Sequence, residues 1–142
     1  MMTIYQVVID TNVIIAALKS RRGASFKLIS LIDSNLFKIN LSVSLLLEYE
    51  DVLKRETIEI PLKNKDIDDI LDYLCKIANK REIFYLWRPF LKDPGDDFVL
   101  ELAVESQSDF IITYNLKDFK GIEKFGLKAV TPREFLKLIG GL

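Results

Sequence analysis

Histidine is absent from the 142 residues. With it go the Ser-His-Asp triad, imidazole acid–base catalysis and the histidine zinc site. Cysteine occurs once, at position 75, so no internal disulfide can form and a reducing cytoplasm is the expected setting. No apolar run approaches the roughly 20 residues that span a bilayer, and no membrane partner is expected. The opening MMTIYQVVID lacks a basic segment and a small-residue cleavage site, so it reads as a first strand rather than a secretory signal. Charge of one sign is also lacking: 20 basic residues face 21 acidic ones, for a net of −1. Nucleic-acid binders are often more basic. A cluster of metal-binding carboxylates would bias that count downward, and a bound cation would reverse the local sign. Repeats, low-complexity tracts and Pro, Gly or Ser-rich linkers are missing too, so residues 1–142 read as one domain.

What is present suffices for a packed core without a disulfide or structural metal. The 49% hydrophobic and 29% charged residues are ordinary for a globular chain of this length. Residues 4–9 form a compact β-prone run that stops at Asp10-Thr11-Asn12, a strand-to-helix junction with Thr11 or Asn12 as the expected N-cap. Residues 13–20 and 24–34 read as helices broken near Gly23, and 37–41 as a strand. Ser42 or Ser44 then caps a helix running to about Arg55. Over 65–80 the apolar positions Ile67, Ile70, Leu71, Leu74, Ile77 and Ala78 keep three-four spacing, with Asp66, Asp68, Asp69 and Asp72 opposite. Residues 83–86 are the expected third strand. Pro94-Gly95 is a turn, Asp96 or Asp97 opens a helix, and 110–113 reads as a buried, parallel-type strand. A strand at 127–130 leads to a last helix capped by Thr131, with Pro132 first and Glu134 closing a capping box. Strands alternating with helices predict an α/β fold with a mostly parallel sheet covered on both faces, whose ligand site lies outside the carboxyl ends of the strands.

Acidic residues cluster at that edge. Asp10 directly follows the first strand. Glu48 lies three after Leu45 and four before Val52, on the inward side of its helix, where a carboxylate is costly unless paired or metal-bound. Asp93, Asp96 and Asp97 flank a helix start that needs only one capping side chain. Thr113, Asn115 and Asp118 follow the fourth strand, and Asn115 can offer a neutral oxygen to a metal or position a water. Each has a plain structural alternative: a cap, a turn, or an acid reaching water at the edge of a stripe. Together they form a set of like charges that a hard divalent cation would relieve, and oxygen-only ligands suit Mg²⁺ or Mn²⁺. Such ions serve in-line phosphoryl displacement.

Four segments in order resemble the PIN-domain family, specifically the small prokaryotic toxin components of toxin–antitoxin systems. They are VVID-Thr11-Asn12-V, SVSLLLEYEDVL, DPG-Asp96-Asp97 with Leu100 and Ala103, and IIT-Tyr114-Asn115-LKDF, followed by VTPREFL. The resemblance spans essentially the whole chain. It implies a three-layer α/β/α domain whose acids bind Mg²⁺ or Mn²⁺ and hydrolyse single-stranded RNA, with a cognate antitoxin as partner. By carry-over Asp10, Glu48 and Asp96 are the metal-binding acids, and Asp97 is the nearest substitute for Asp96. Many members carry aspartate where this chain has Asn115, which lowers the site charge, and Asp118 is the acid placed to compensate. Thr113 and Ser44 become hydroxyls that steady ligands or water, and Asn12 holds Asp10.

The competing reading is a PIN-fold module that works through protein binding, motivated by the lost charge at Asn115. A receiver-like phosphoacceptor would need an isolated Asp after a central strand, but the second strand ends Asn40-Leu41-Ser42. A haloacid-type phosphatase would need an Asp where Asn12 stands. The apolar positions of the segments 24–34 and 65–80 either belong to the core or close a homodimer. Rim cations such as Arg21, Arg22, Lys54, Lys117 and Lys120 are candidates for holding the RNA backbone.

Overall fold

A computed structural model describes residues 4–55 and 59–141. Five parallel strands form one sheet: β1 (Tyr5–Ile9), β2 (Phe37–Leu41), β3 (Asn79–Lys80), β4 (Phe110–Ile112) and β5 (Lys128–Val130), in the order β3-β2-β1-β4-β5. The helices are α1 (Thr11–Lys19), α2 (Ala24–Ser30), α3 (Val43–Arg55), α4 (Asn64–Ile77), α5 (Asp97–Glu105) and α6 (Pro132–Leu138). With helices on the sheet's faces this is the expected three-layer α/β/α arrangement. Val7, Val8, Ile111 and Ile112 are fully buried and Ile9 nearly so, which is why the end of β1 and β4 read as unbroken apolar runs instead of alternating ones.

The strand order locates the site. From β1 the chain runs outward to β2 and β3 on one side, then returns to β4 and β5 on the other. The reversal leaves a crevice beyond the carboxyl ends of β1 and β4. There Ile9 pairs with Ile112, and the Asp10 N–H donates to the Ile112 carbonyl at 2.9 Å. At the sheet's other end Phe135 of α6 meets Tyr5, Phe37 and Phe110 edge-on, with ring centroids 6.1, 5.2 and 5.7 Å away. The expected capping box holds α6: Thr131 Oγ1 accepts from the Glu134 N–H at 3.2 Å, and Glu134 Oε1 accepts from the Thr131 N–H at 2.9 Å.

Several expectations are corrected. Residues 83–86 are not a strand; the third strand is Asn79–Lys80, paired with Asn40 and Leu41. Phe84, Tyr85 and Leu86 are 72, 71 and 64% exposed, and the neighbouring Trp87 N–H donates to a side chain of α5 rather than to a strand. The helix expected over 24–34 ends at Ser30, and a turn follows. Asp10, not Thr11 or Asn12, caps α1. Of the two serines, Ser42 caps α3, its Oγ accepting from the Leu45 N–H at 3.2 Å. Leu28, Ile32, Ile67, Leu71 and Leu74, weighed above as dimer surface, are buried in the core. No helix among the described residues is long and apolar enough to cross a membrane.

Candidate active site

Asp10 is 6% exposed, and three donors hold its carboxylate. Oδ1 accepts from the Thr11 N–H at 2.9 Å, and Oδ2 accepts from Thr113 Oγ1 at 2.8 Å and Asn12 Nδ2 at 3.3 Å. Thr113, fully buried at the end of β4, also accepts from Asn12 Nδ2 at 3.3 Å and from the Asn115 N–H at 3.0 Å. Asn12 Oδ1 accepts from the Tyr114 N–H at 3.2 Å. Two residues after the first strand and a threonine after the fourth therefore lock one carboxylate in place. Burial raises the Asp10 pKa, the Thr113 and Thr11 hydrogen bonds pull it back, and the charges of Glu48 and Asp118 raise it again.

Glu48 is half-buried on α3, and its Oε2 accepts from the Thr11 hydroxyl. Thr11 thus links the backbone beside one acid to the carboxylate of the next. The adjacent Tyr49 is buried, and its hydroxyl donates to the Ile9 carbonyl, fixing α3 to the last residue of β1. Burial, then the charges of Asp10 and Glu48, push the Tyr49 phenol well above its ordinary range. It is a neutral donor at any physiological pH. From the sequence Thr11 was one of two expected caps, and Tyr49 had no assigned role at the site.

The helix-start acids divide their work. Asp93 makes the cap of the short 3-10 turn Pro94–Asp96, Oδ1 accepting from the Gly95 N–H at 2.9 Å. Asp96 makes no side-chain capping bond, and its Oδ2 is buried without a partner among the described residues. Desolvation, followed by the charges of Asp10, Asp93, Asp118 and Glu48, pushes Asp96 up to about 7. Asp96 therefore stands in the field of Asp10, Glu48 and Asp118. Asp97 is buried, gives Oδ1 to the Leu91 N–H at 2.9 Å, and also leaves Oδ2 unpartnered. Its charge acts on Arg88, so it faces the irregular segment 81–93.

That segment is tied down by a residue the sequence reading missed. Glu101 is 2% exposed and accepts from Arg88 Nε at 2.9 Å, Arg88 Nη2 at 2.8 Å and the Trp87 N–H at 2.9 Å. The available signal was Asp97 and Glu101, four apart on the apolar helix α5, where two acids on one face need partners. Asn115 is exposed at the loop after β4, Asp118 is half-buried beyond it, and Ser44 is exposed on the first turn of α3.

Asp96 thus lies within electrostatic reach of Asp10, Glu48 and Asp118, and Asp10 within reach of Glu48 and Asp118. No three acidic, histidine or cysteine side chains among the described residues already stand together as a metal-binding group. The chemistry of the donors nonetheless fits a hard divalent cation: all are oxygens, they repel one another, and one buried oxygen lacks a partner.

A parallel α/β sheet with carboxylates gathered at its switch point is a layout suited to holding a divalent cation. The family profile described as PIN domain matches residues 6–117, and the chain belongs to that family. Membership points to a nuclease of the divalent-metal type. Comparison with curated proteins gave no match.

Proposed function

We propose that this protein is an endoribonuclease that hydrolyses single-stranded RNA with Mg²⁺ or Mn²⁺. One observation carries the reading: the buried, unpartnered oxygen of Asp96 in the combined field of Asp10, Glu48 and Asp118. Asp10, Glu48 and Asp96 would hold the cation, whereas Asp97, the substitute expected from the sequence, turns to the Leu91 N–H instead. The cation would offset their mutual repulsion and polarise the phosphate. Thr113 and Asn12 keep the Asp10 carboxylate oriented, and Thr11 does the same for Glu48. Tyr49 prevents α3 from drifting away from the strand end that carries Asp10. Asn115 brings a neutral amide to the rim, and Asp118 supplies the charge missing there.

The test is incubation of mixed-sequence single-stranded RNA with wild type and Asp10→Asn, with Mn²⁺ or with chelator. Metal-dependent cutting that the variant largely loses is expected. Equal cutting by both, or cutting by neither, would contradict the reading. The motif order further supports a toxin role with a cognate antitoxin. Growth arrest on expression, relieved by Asp10→Asn, would test it. The exposed Asn115 favours a second reading, a PIN-fold module acting through protein binding. It predicts no RNA cleavage at any metal concentration.

A further inference from the structure

A cleft of about 670 Å³ is lined by Lys92, Lys117, Lys120 and Lys128, with Glu123 as its lone acid. None of these lysines forms an ion pair among the described residues. A protein with net charge −1 therefore gathers four lysines in one concave place, of which Lys128 also acts on Glu134. Two stretches of its lining adjoin the site's acids in sequence, while Lys128 opens β5 at that strand's other end. Lys92 precedes Asp93, while Lys117 and Lys120 bracket Asp118, and both acids act on Asp96. The segment 81–93 leads into the cleft at Lys92. Trp87 and Phe90 pack edge-on against Phe125 at 5.0 and 5.2 Å, two residues from Glu123. Trp87 is 38% exposed and Tyr85 71%. Arg88 and Leu91 are held to Glu101 and Asp97, so α5 anchors this aromatic strap on the side away from solvent.

We propose that the cleft and the strap form one binding track for unpaired nucleic acid, with phosphates held by Lys117, Lys120 and Lys128 and bases stacked on Tyr85 and Trp87. Lysines alone would accept any polyanion. Open aromatic faces beside them select strands whose bases are unpaired. The proposal deepens the nuclease reading and rests on it for the direction in which the strand leaves the cleft, toward Asp96.

Three arms separate the possibilities, all in EDTA so that no strand is cut. Fluorescence anisotropy of a labelled 12-nucleotide RNA compares wild type, Lys117→Gln/Lys120→Gln/Lys128→Gln and Tyr85→Ala. Removing three phosphate contacts should weaken binding about tenfold or more and flatten the log K against log salt slope by about 2. Tyr85→Ala should weaken binding with the slope unchanged. Quenching of Trp87, the sole tryptophan, should follow RNA addition. Unchanged affinity and slope in the triple variant would overturn the proposal. So would equal binding of an RNA duplex, or of polyglutamate, which would mark the cleft as a site for duplexes or an acidic protein segment. Hydrolysis of bis(p-nitrophenyl) phosphate by wild type with Mn²⁺ reads the acid pocket separately. RNA binding without any hydrolysis would sink the nuclease reading and leave the track standing.

Discussion

Asp10 and Asp96 are aspartates at the same sheet edge, yet their surroundings are opposite. Asp10 has donors on both oxygens, supplied by Thr11, Thr113 and Asn12, and burial raises its pKa while the Thr113 and Thr11 bonds pull it back. Asp96 keeps a buried oxygen without a donor among the described residues and is pushed up to about 7 by desolvation and like charge. The protein has fixed one half of its pocket with its own hydrogen bonds and left the other half unsatisfied. The fixed half supplies orientation. The unsatisfied half supplies the reason for a cation to bind.

Both carboxylates are required for chemistry on this account, so each Asn variant should lower metal-dependent RNA cleavage roughly 100-fold or more. Their stabilities should move in opposite directions. In chelator at pH 8, Asp10→Asn places an amide opposite two donors and should cost about 1–3 kcal/mol, whereas Asp96→Asn removes a strained charge and should raise the melting temperature. Thermal unfolding of the pair checks this, and a fall in both would break the comparison.

Thr113→Val probes the fixed half without touching an acid. It keeps the volume but leaves the Asp10 carboxylate and the Asn115 N–H short of a partner, for about 1–3 kcal/mol and a roughly 10-fold to 100-fold loss of activity. Denaturant unfolding and cleavage rates would show it. Tyr49→Phe should be milder, about 1 kcal/mol for the lost hydroxyl bond to Ile9.

The unsatisfied half makes the pH dependence specific. The Asp96 carboxyl is raised in the folded state above its unfolded value, so the folded protein binds the extra proton. Its influence is absent below about pH 4. As pH rises from there through about 7, metal-free stability falls, then levels off. Melting scans in chelator between pH 4 and 8 should show that decline, and Asp96→Asn should flatten it. Adding Mn²⁺ at pH 8 should restore stability in wild type only, since binding to the folded state alone shifts unfolding by mass action.

Most of the sheet was legible because its strands are buried on both faces and interrupted by clear caps. The β-branched run of β1, the apolar β4 and the Thr131 capping box each carry a local signal. The third strand was not legible. Asn79 and Lys80 have no strand-like pattern of their own and are strands only because β2 lies beside them, whereas Phe84 and Tyr85 look strand-like and are exposed. Asp10 and Asp96 stood out at a strand exit and a helix start, and Glu48 by its place on the inward side of its helix. The roles of Thr11, Tyr49 and Glu101 depend on contacts 37, 40 and 13 residues away in sequence, and no local pattern announces those. Asp96 and Asp97 could be told apart only once the fold set one beside Asp10 and the other beside Leu91 and Arg88.

Titration of Mn²⁺ into metal-free protein at pH 7.5, followed by electron paramagnetic resonance, tests the shared cation directly. Wild type should bind, while Asp10→Asn and Asp96→Asn should each bind at least about 10-fold more weakly. Equal affinity in all three proteins would mean that the two carboxylates do not serve one ion.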